Sequence, residues 1–268
     1  MALLIVAHGS RDPRHAATVA ALCSRLAARR PGLRVEAGFL DFCVPGVQEA
    51  LARLAAEGER EVVAVPLLLT RAFHAKSDVP AVLDRARAAL PGLTVRQARV
   101  LGPSTLLTAA LERRLYEAGV RPGHRGSTGV VLASAGSSDP EANAVIADIA
   151  REWRHTGWCA VRPAFASASP PRTEDAVRAL RAEGVRRIAV APYALAPGRL
   201  PDRIAAGARA AGADVLAEVL GPAPEVVSLL LRRYDDGRRP PRPVGVGHGD
   251  RWHGTVPGVS GRAEAPPR

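Results

Sequence analysis

The sequence predicts an α/β protein built of two tandem domains, each a four-stranded parallel sheet flanked by helices. Three observations carry this. Short runs rich in Val, Leu and Ile alternate with Ala- and Arg-rich segments of helical periodicity; the alternation is passed through twice; and the two passes match segment by segment. Strands covered on both faces need apolar residues without a period of two, and LLIV (3–6) and VVAV (62–65) are of this kind.

In the first pass, strands are expected near 2–7, 34–40, 61–67 and 94–100, and helices near 13–30, 45–57, 78–90 and 104–118. Pro13 and Pro45 suit a first helical turn, where a missing N–H costs nothing, and Asp78 ahead of Val79 and Pro80 reads as an N-cap. The segment RPGHRGST (121–128) has the composition of a linker. The order of elements then restarts: LLIVAHGSRDP (3–13) aligns with GVVLASAGSSDP (129–140), AGFLDFCVP (37–45) with PAFASASPP (163–171), AVPLLL (64–69) with VAPYAL (190–195), and LGP (101–103) with LGP (220–222). The expected organisation is therefore one repeat over 1–120, a diverged repeat over 129–235, and a disordered tail over 236–268, too dense in Pro, Gly and Arg to order itself.

Composition narrows the function classes. The 268 residues contain no run of eighteen apolar residues, and Met1 leads directly into strand-like sequence, so a soluble, cytoplasmic protein is expected, without membrane association. Cys23, Cys43 and Cys159 are odd in number and lack paired spacing, which fits reduced thiols. The net charge of +11 is carried by arginine, Lys76 being the only lysine, and it favours an anionic partner. Nucleic acid is not expected, since the ten aromatic residues are not interleaved with basic ones in a recognisable binding motif.

The chemistry concentrates in the first repeat. His8 follows strand one, Asp41 follows strand two, and His74 follows strand three in the polar stretch TRAFHAKSDVP (70–80), so all three fall beyond the carboxyl ends of parallel strands, where ligands bind. With a flavodoxin-like strand order of 2-1-3-4, His8 and His74 face one crevice. Two neutral imidazoles form a borderline site suited to Fe2+, Co2+ or Ni2+, and a nearby carboxylate can add a ligand or accept protons. The second repeat has Ala135 for His8, Ser167 for Asp41 and PGRLPD (197–202) for the His74 region. The loop HGSRDP (8–13) lacks the GxxxxGK[ST] and GxGxxG patterns, although Gly9 would permit an anion to approach a helix N-terminus. His15, His124, His155, His248 and His253 read as surface residues.

AHGSRD (7–12), GFLDF (38–42) with a following proline, and VPLLLTRAFHAKSDVP (65–80) together resemble the sirohydrochlorin cobaltochelatase and ferrochelatase family, in its long two-repeat form. The resemblance implies two chelatase-type lobes enclosing a cleft, and ATP-independent insertion of a divalent metal, Fe2+ or Co2+, into a polycarboxylated tetrapyrrole, with no organic cofactor. It implies catalytic roles for His8 and His74, which would also hold the metal, and for Asp41, where the family often has glutamate. The eight carboxylates of such a macrocycle would be met by Ser10, Arg11, Arg71 and Lys76. Fusion of the repeats makes a monomer the expected state. Two alternatives stay open: a tetrapyrrole or metal carrier without catalysis, and a flavodoxin-like enzyme binding a phosphate ester at the HGSRD loop.

Overall fold

The computed structural model describes residues 1–70 and 77–239. The first half runs β1 (Ala2–Ala7), α1 (Pro13–Arg29), β2 (Val35–Phe39), α2 (Val47–Ala56), β3 (Glu61–Pro66), α3 (Val79–Ala89), β4 (Thr94–Gln97) and α4 (Thr105–Glu117). After a short 3-10 helix at Pro122–Ser127 the order repeats as β5 (Thr128–Ser134), α5 (Pro140–Arg154), β6 (Ala160–Phe165), α6 (Thr173–Ala182), β7 (Arg187–Tyr193), α7 (Arg199–Ala210), β8 (Val215–Leu216) and α8 (Pro224–Arg238). Among the described residues, no helix is long and apolar enough to cross a membrane.

Local chemistry sets the starts of the helices. Asp12 accepts a hydrogen bond from the Arg14 N–H and places Pro13 at the first helical position of α1; Asp139 and Pro140 repeat the device in α5. Pro45 departs from expectation, because α2 begins only at Val47. The Pro45 carbonyl accepts the Phe39 N–H instead, which holds this segment against the end of β2. Asp78 stands at the N-cap of α3 in a helical conformation, without the side-chain bond that normally defines a cap.

Both sheets are wholly parallel, in the orders β2-β1-β3-β4 and β6-β5-β7-β8. This is the expected flavodoxin-like order. The register pairs Ala7 with Phe39 and Val6 with Pro66, so the carboxyl ends of β1, β2 and β3 finish level, and the chain leaves β1 and β3 in a shared crevice.

The cores show how the halves join. The outer face of the first sheet packs Leu4, Val6 and Val62 against Leu51, Leu54 and Leu83 of α2 and α3. The outer face of the second packs Val131, Ala133 and Val190 against Leu180 and Ile204 of α6 and α7. The inner faces share one core, in which Leu3, Ile5, Val63 and Val65 lie in the same cluster as Val130, Leu132, Ala189 and Ala191. Two helices fill that core by exchange: α4 packs on β7, and α8 packs on β3 and β4. Each half thus ends in a helix that covers the other half's sheet, and Met1–Arg238 forms one compact unit.

Polar contacts fix the exchanged helix α8. Arg233, 8% exposed, donates from Nε to the Val100 carbonyl and from Nη2 to the Leu101 carbonyl, both at 2.8 Å. Tyr234 donates its hydroxyl to the Met1 carbonyl, and Asp235 pairs with Arg30 at 2.6 Å. The helix continues to Arg238, so residues 236–238 do not belong to the tail expected from composition. They are ordered by contact with the first sheet: a Cβ at Gly237 would lie 2.6 Å from Val63 Cγ1.

Candidate active site in the cleft between the halves

A cleft of about 1100 Å³ opens where the carboxyl ends of the strands from both halves meet. Its first wall includes His8, Arg11, His15, Phe42 and Leu67–Thr70; its second includes Ser134–Ser137, Asn143 and Tyr193–Asp202. A smaller cavity of about 580 Å³ lies elsewhere, between α6 and α7, and is lined by Arg172, Arg178 and Arg203.

His8 is the first residue after β1, and its position follows from the corner that begins there. The Leu40 and Asp41 N–H groups donate to the Ala7 and His8 carbonyls at 2.9 Å, prolonging the β1–β2 pairing. Gly9 adopts φ +93°, and a Cβ there would stand 1.8 Å from the Asp41 carbonyl oxygen. The close approach anticipated at this glycine is therefore that of the neighbouring loop, rather than that of an anion. Gly136 repeats the corner in the second half, with φ +80° and the Ser167 carbonyl 2.1 Å from the same construction. The two halves share the backbone device, but only the first places an imidazole on it.

Around His8 the structure assembles part of the expected set. The His8 ring stacks on Phe42, with centroids 6.3 Å apart and planes 25° from parallel, and the Arg11 guanidinium lies 5.2 Å from the centre of the same phenyl ring. The Ser10 hydroxyl accepts the Asp12 N–H, a local turn contact, while its backbone meets the Cys43 thiol on both sides: the Ser10 N–H points to Sγ at 3.5 Å, and Sγ donates to the Ser10 carbonyl at 3.2 Å. Cys43, given no role from sequence, thus ties the two loops of the first wall together. Asp41 is exposed and caps its neighbour, its Oδ1 accepting the Phe42 N–H at 2.8 Å; the residue of this loop that lines the cleft is Phe42. Arg71, His74 and Lys76 lie outside the described residues. Among the described residues, no three His, Cys, Asp or Glu side chains are grouped to hold a metal.

His15 corrects the surface reading. It is half-buried on the cleft wall, its Nδ1 is buried without a partner, and its ring packs 6.3 Å from Phe39. Burial, reinforced by the neighbouring His8, pushes its pKa below the usual histidine value. The available signal was spacing, since His15, Val19, Leu22 and Leu26 form one stripe on α1.

The second wall contributes groups that sequence comparison between the repeats had treated only as losses. Tyr193 ends β7, is 4% exposed, and has a buried hydroxyl without a hydrogen-bond partner; burial pushes its pKa well above the usual phenol value, so it is neutral. Arg199 opens α7 on the cleft wall. Asn143 clamps its own loop, accepting the Ser137 N–H and donating to the Ser137 carbonyl and the Ser169 hydroxyl. At the rim, Arg14 bridges the halves by bonding Asp12 and, at 2.6 Å, Asp202. That guanidinium holds the Asp12 carboxyl below its ordinary range.

A model of the CbiX family matches residues 2–118 and 129–237, which takes in both repeats. The chain belongs to the CbiX family. Among similar CbiX-type proteins, a sirohydrochlorin cobaltochelatase of Priestia megaterium is 29% identical over 208 residues, covering 75% of this chain and 66% of the relative, just under two thirds of its length. A sirohydrochlorin ferrochelatase of the same organism is 27% identical over 204 residues, 76% of each chain. Among solved structures, SirB from Bacillus subtilis with Fe3+ superposes with a TM-score of 0.77 at 26% identity, covering 88% of this chain and 94% of SirB. A cobalt complex of SirB from Bacillus subtilis subspecies spizizenii shares the fold, with a TM-score of 0.73 at 24% identity.

Proposed function

We propose that this CbiX-family protein is a sirohydrochlorin chelatase, a lyase that inserts Fe2+ or Co2+ into the polycarboxylated macrocycle. The observation that carries the reading is the cleft. At about 1100 Å³ it is slightly larger than the roughly 300–1,000 Å³ usual for small-molecule sites, as a wide macrocycle requires. It lies at the strand ends where β1 and β3 diverge, with His8 at its wall. Relatives named as cobaltochelatase and ferrochelatase match both halves of such a chain.

Insertion replaces two pyrrole N–H protons with the metal, so the site needs a donor that holds the ion and a base that takes the protons. In this reading His8 and His74, which follows β3 in sequence, hold the ion and take up the pyrrole protons, and Asp41, on the loop after β2, is a further proton acceptor. Arg11 forms no ion pair among the described residues, and neither does Arg199. With Arg71, Lys76 and the Ser10 hydroxyl, these cations receive the macrocycle's carboxylates. The ion is a substrate, and the reaction draws on no organic cofactor. A monomer in the cytoplasm is the working state, for sirohaem or cobalamin formation.

The test is anaerobic incubation with sirohydrochlorin and either Fe2+ or Co2+, following the visible spectrum. Turnover above the uncatalysed rate is expected, and the His8→Ala variant should lose at least about a hundredfold in kcat while melting like the parent. Equal rates with and without protein would remove the reading, and a tight complex without turnover would identify a carrier.

A further inference from the structure

Among the described residues, the only exposed large hydrophobic side chains are Phe42, 51% exposed, and Val44, 85% exposed. Both sit on the loop that follows β2, and Phe42 lines the cleft. Phe42 also holds φ +60°, a left-handed conformation that bulky residues seldom adopt. Its counterpart in the second half, Ala168, holds φ +65°. The corner therefore belongs to the fold and is built with a methyl group in one copy. A phenyl ring is not needed to make it, and the ring occurs only in the half that retains the imidazole.

The ring's neighbours say what it could receive. It lies almost parallel to His8, and it carries the Arg11 guanidinium at 5.2 Å on a cation–π contact, which is weak at an exposed site. Arg11 forms no ion pair among the described residues, so a carboxylate arriving in the cleft offers it a stronger, charge-assisted partner. Once Arg11 leaves, the phenyl ring of Phe42, on the cleft wall near His8, is freed of its covering guanidinium.

We propose that Phe42 is the stacking platform for the planar macrocycle, uncovered when Arg11 moves from the phenyl ring to a macrocycle carboxylate, and that it sets the ring system beside His8. This rests on the chelatase reading and adds to it a binding residue that the metal chemistry does not require. Phe42 is a positioning residue, which binds the conjugated ring and takes no part in proton or metal transfer.

The experiment titrates the full chain with metal-free sirohydrochlorin by absorbance and fluorescence, then measures KM and kcat. Phe42→Ala should fold normally, as Ala168 shows for the same corner. It should raise Kd and KM roughly tenfold, with kcat changed by less than about threefold. Phe42→Trp, which restores an aromatic face, should bind like the parent. Binding by Phe42→Ala equal to that of the parent overturns the proposal, and so does failure of Phe42→Trp to restore it. A parent chain that binds no macrocycle overturns the chelatase reading and this proposal with it, whereas a parent that binds and a Phe42→Ala variant that binds equally well overturn only the role of Phe42.

Discussion

A Cβ at position 9 would enter the Asp41 carbonyl at 1.8 Å, and the backbone there has φ +93°. Gly9→Ala should therefore cost at least about 2 kcal/mol of stability in denaturant melts, while a similar change at Gly58, where a Cβ would meet nothing, should cost much less despite its φ of +92°. At this scale the sequence was uneven. His8 was legible because it breaks an apolar strand at the end where ligands bind. His15 was not, because a histidine on an Arg- and Ala-rich helix looks solvated until its stripe with Val19, Leu22 and Leu26 is counted. Arg199 and Tyr193 were hidden for another reason: comparing the repeats shows what the second lacks, and says nothing of what it adds to a shared wall.

The strands and helices of the first half were largely readable, since apolar runs, N-caps and early prolines act within a few residues, and the second half followed from its alignment with the first. The destination of a helix's buried face was not. Leu107, Leu111 and Leu115 mark a buried stripe on α4, yet nothing local tells the reader that the stripe meets β7 rather than a strand of its own half. The exchanged pair is joined by Arg113 of α4 and Glu225 in the first turn of α8, bonded at 2.9 Å from Nε to Oε1. That bond holds the Glu225 carboxyl below the usual glutamate value. A depressed carboxyl pKa contributes stability above the unfolded value, about 4.3, and loses it as the pH falls through the folded value. Glu225→Gln should accordingly lower stability by about 0.5–1 kcal/mol near pH 7, a modest effect because Arg113 is open to water, and the gap should close in melts run below about pH 4.

For the whole molecule, the duplication was visible in four aligned segments, and the two sheets follow the same order. Duplication has left an asymmetric cleft: one wall carries His8, His15 and Phe42, the other Tyr193 and Arg199. The chain's net charge of +11 should favour encounter with a polyanionic macrocycle, and Arg11 and Arg199 stand on the cleft wall to meet it. Raising salt from about 0.05 to 0.5 M should raise KM for sirohydrochlorin severalfold and leave kcat nearly constant, as screening weakens encounter without touching the inserted ion. A KM indifferent to salt would mean that apolar contact, rather than charge, governs capture.

The exchange of α4 and α8 also limits how the molecule can move. Walls joined by a flexible strap can swing apart like the covers of a book, but these are cross-braced, each held by a helix rooted in the opposite half and seated in the shared core. Prising them apart would expose that core. The Arg14–Asp202 bridge at the rim is of another kind: both side chains are open to water, so breaking it costs little. The two walls are braced through their core and tied only lightly at the mouth.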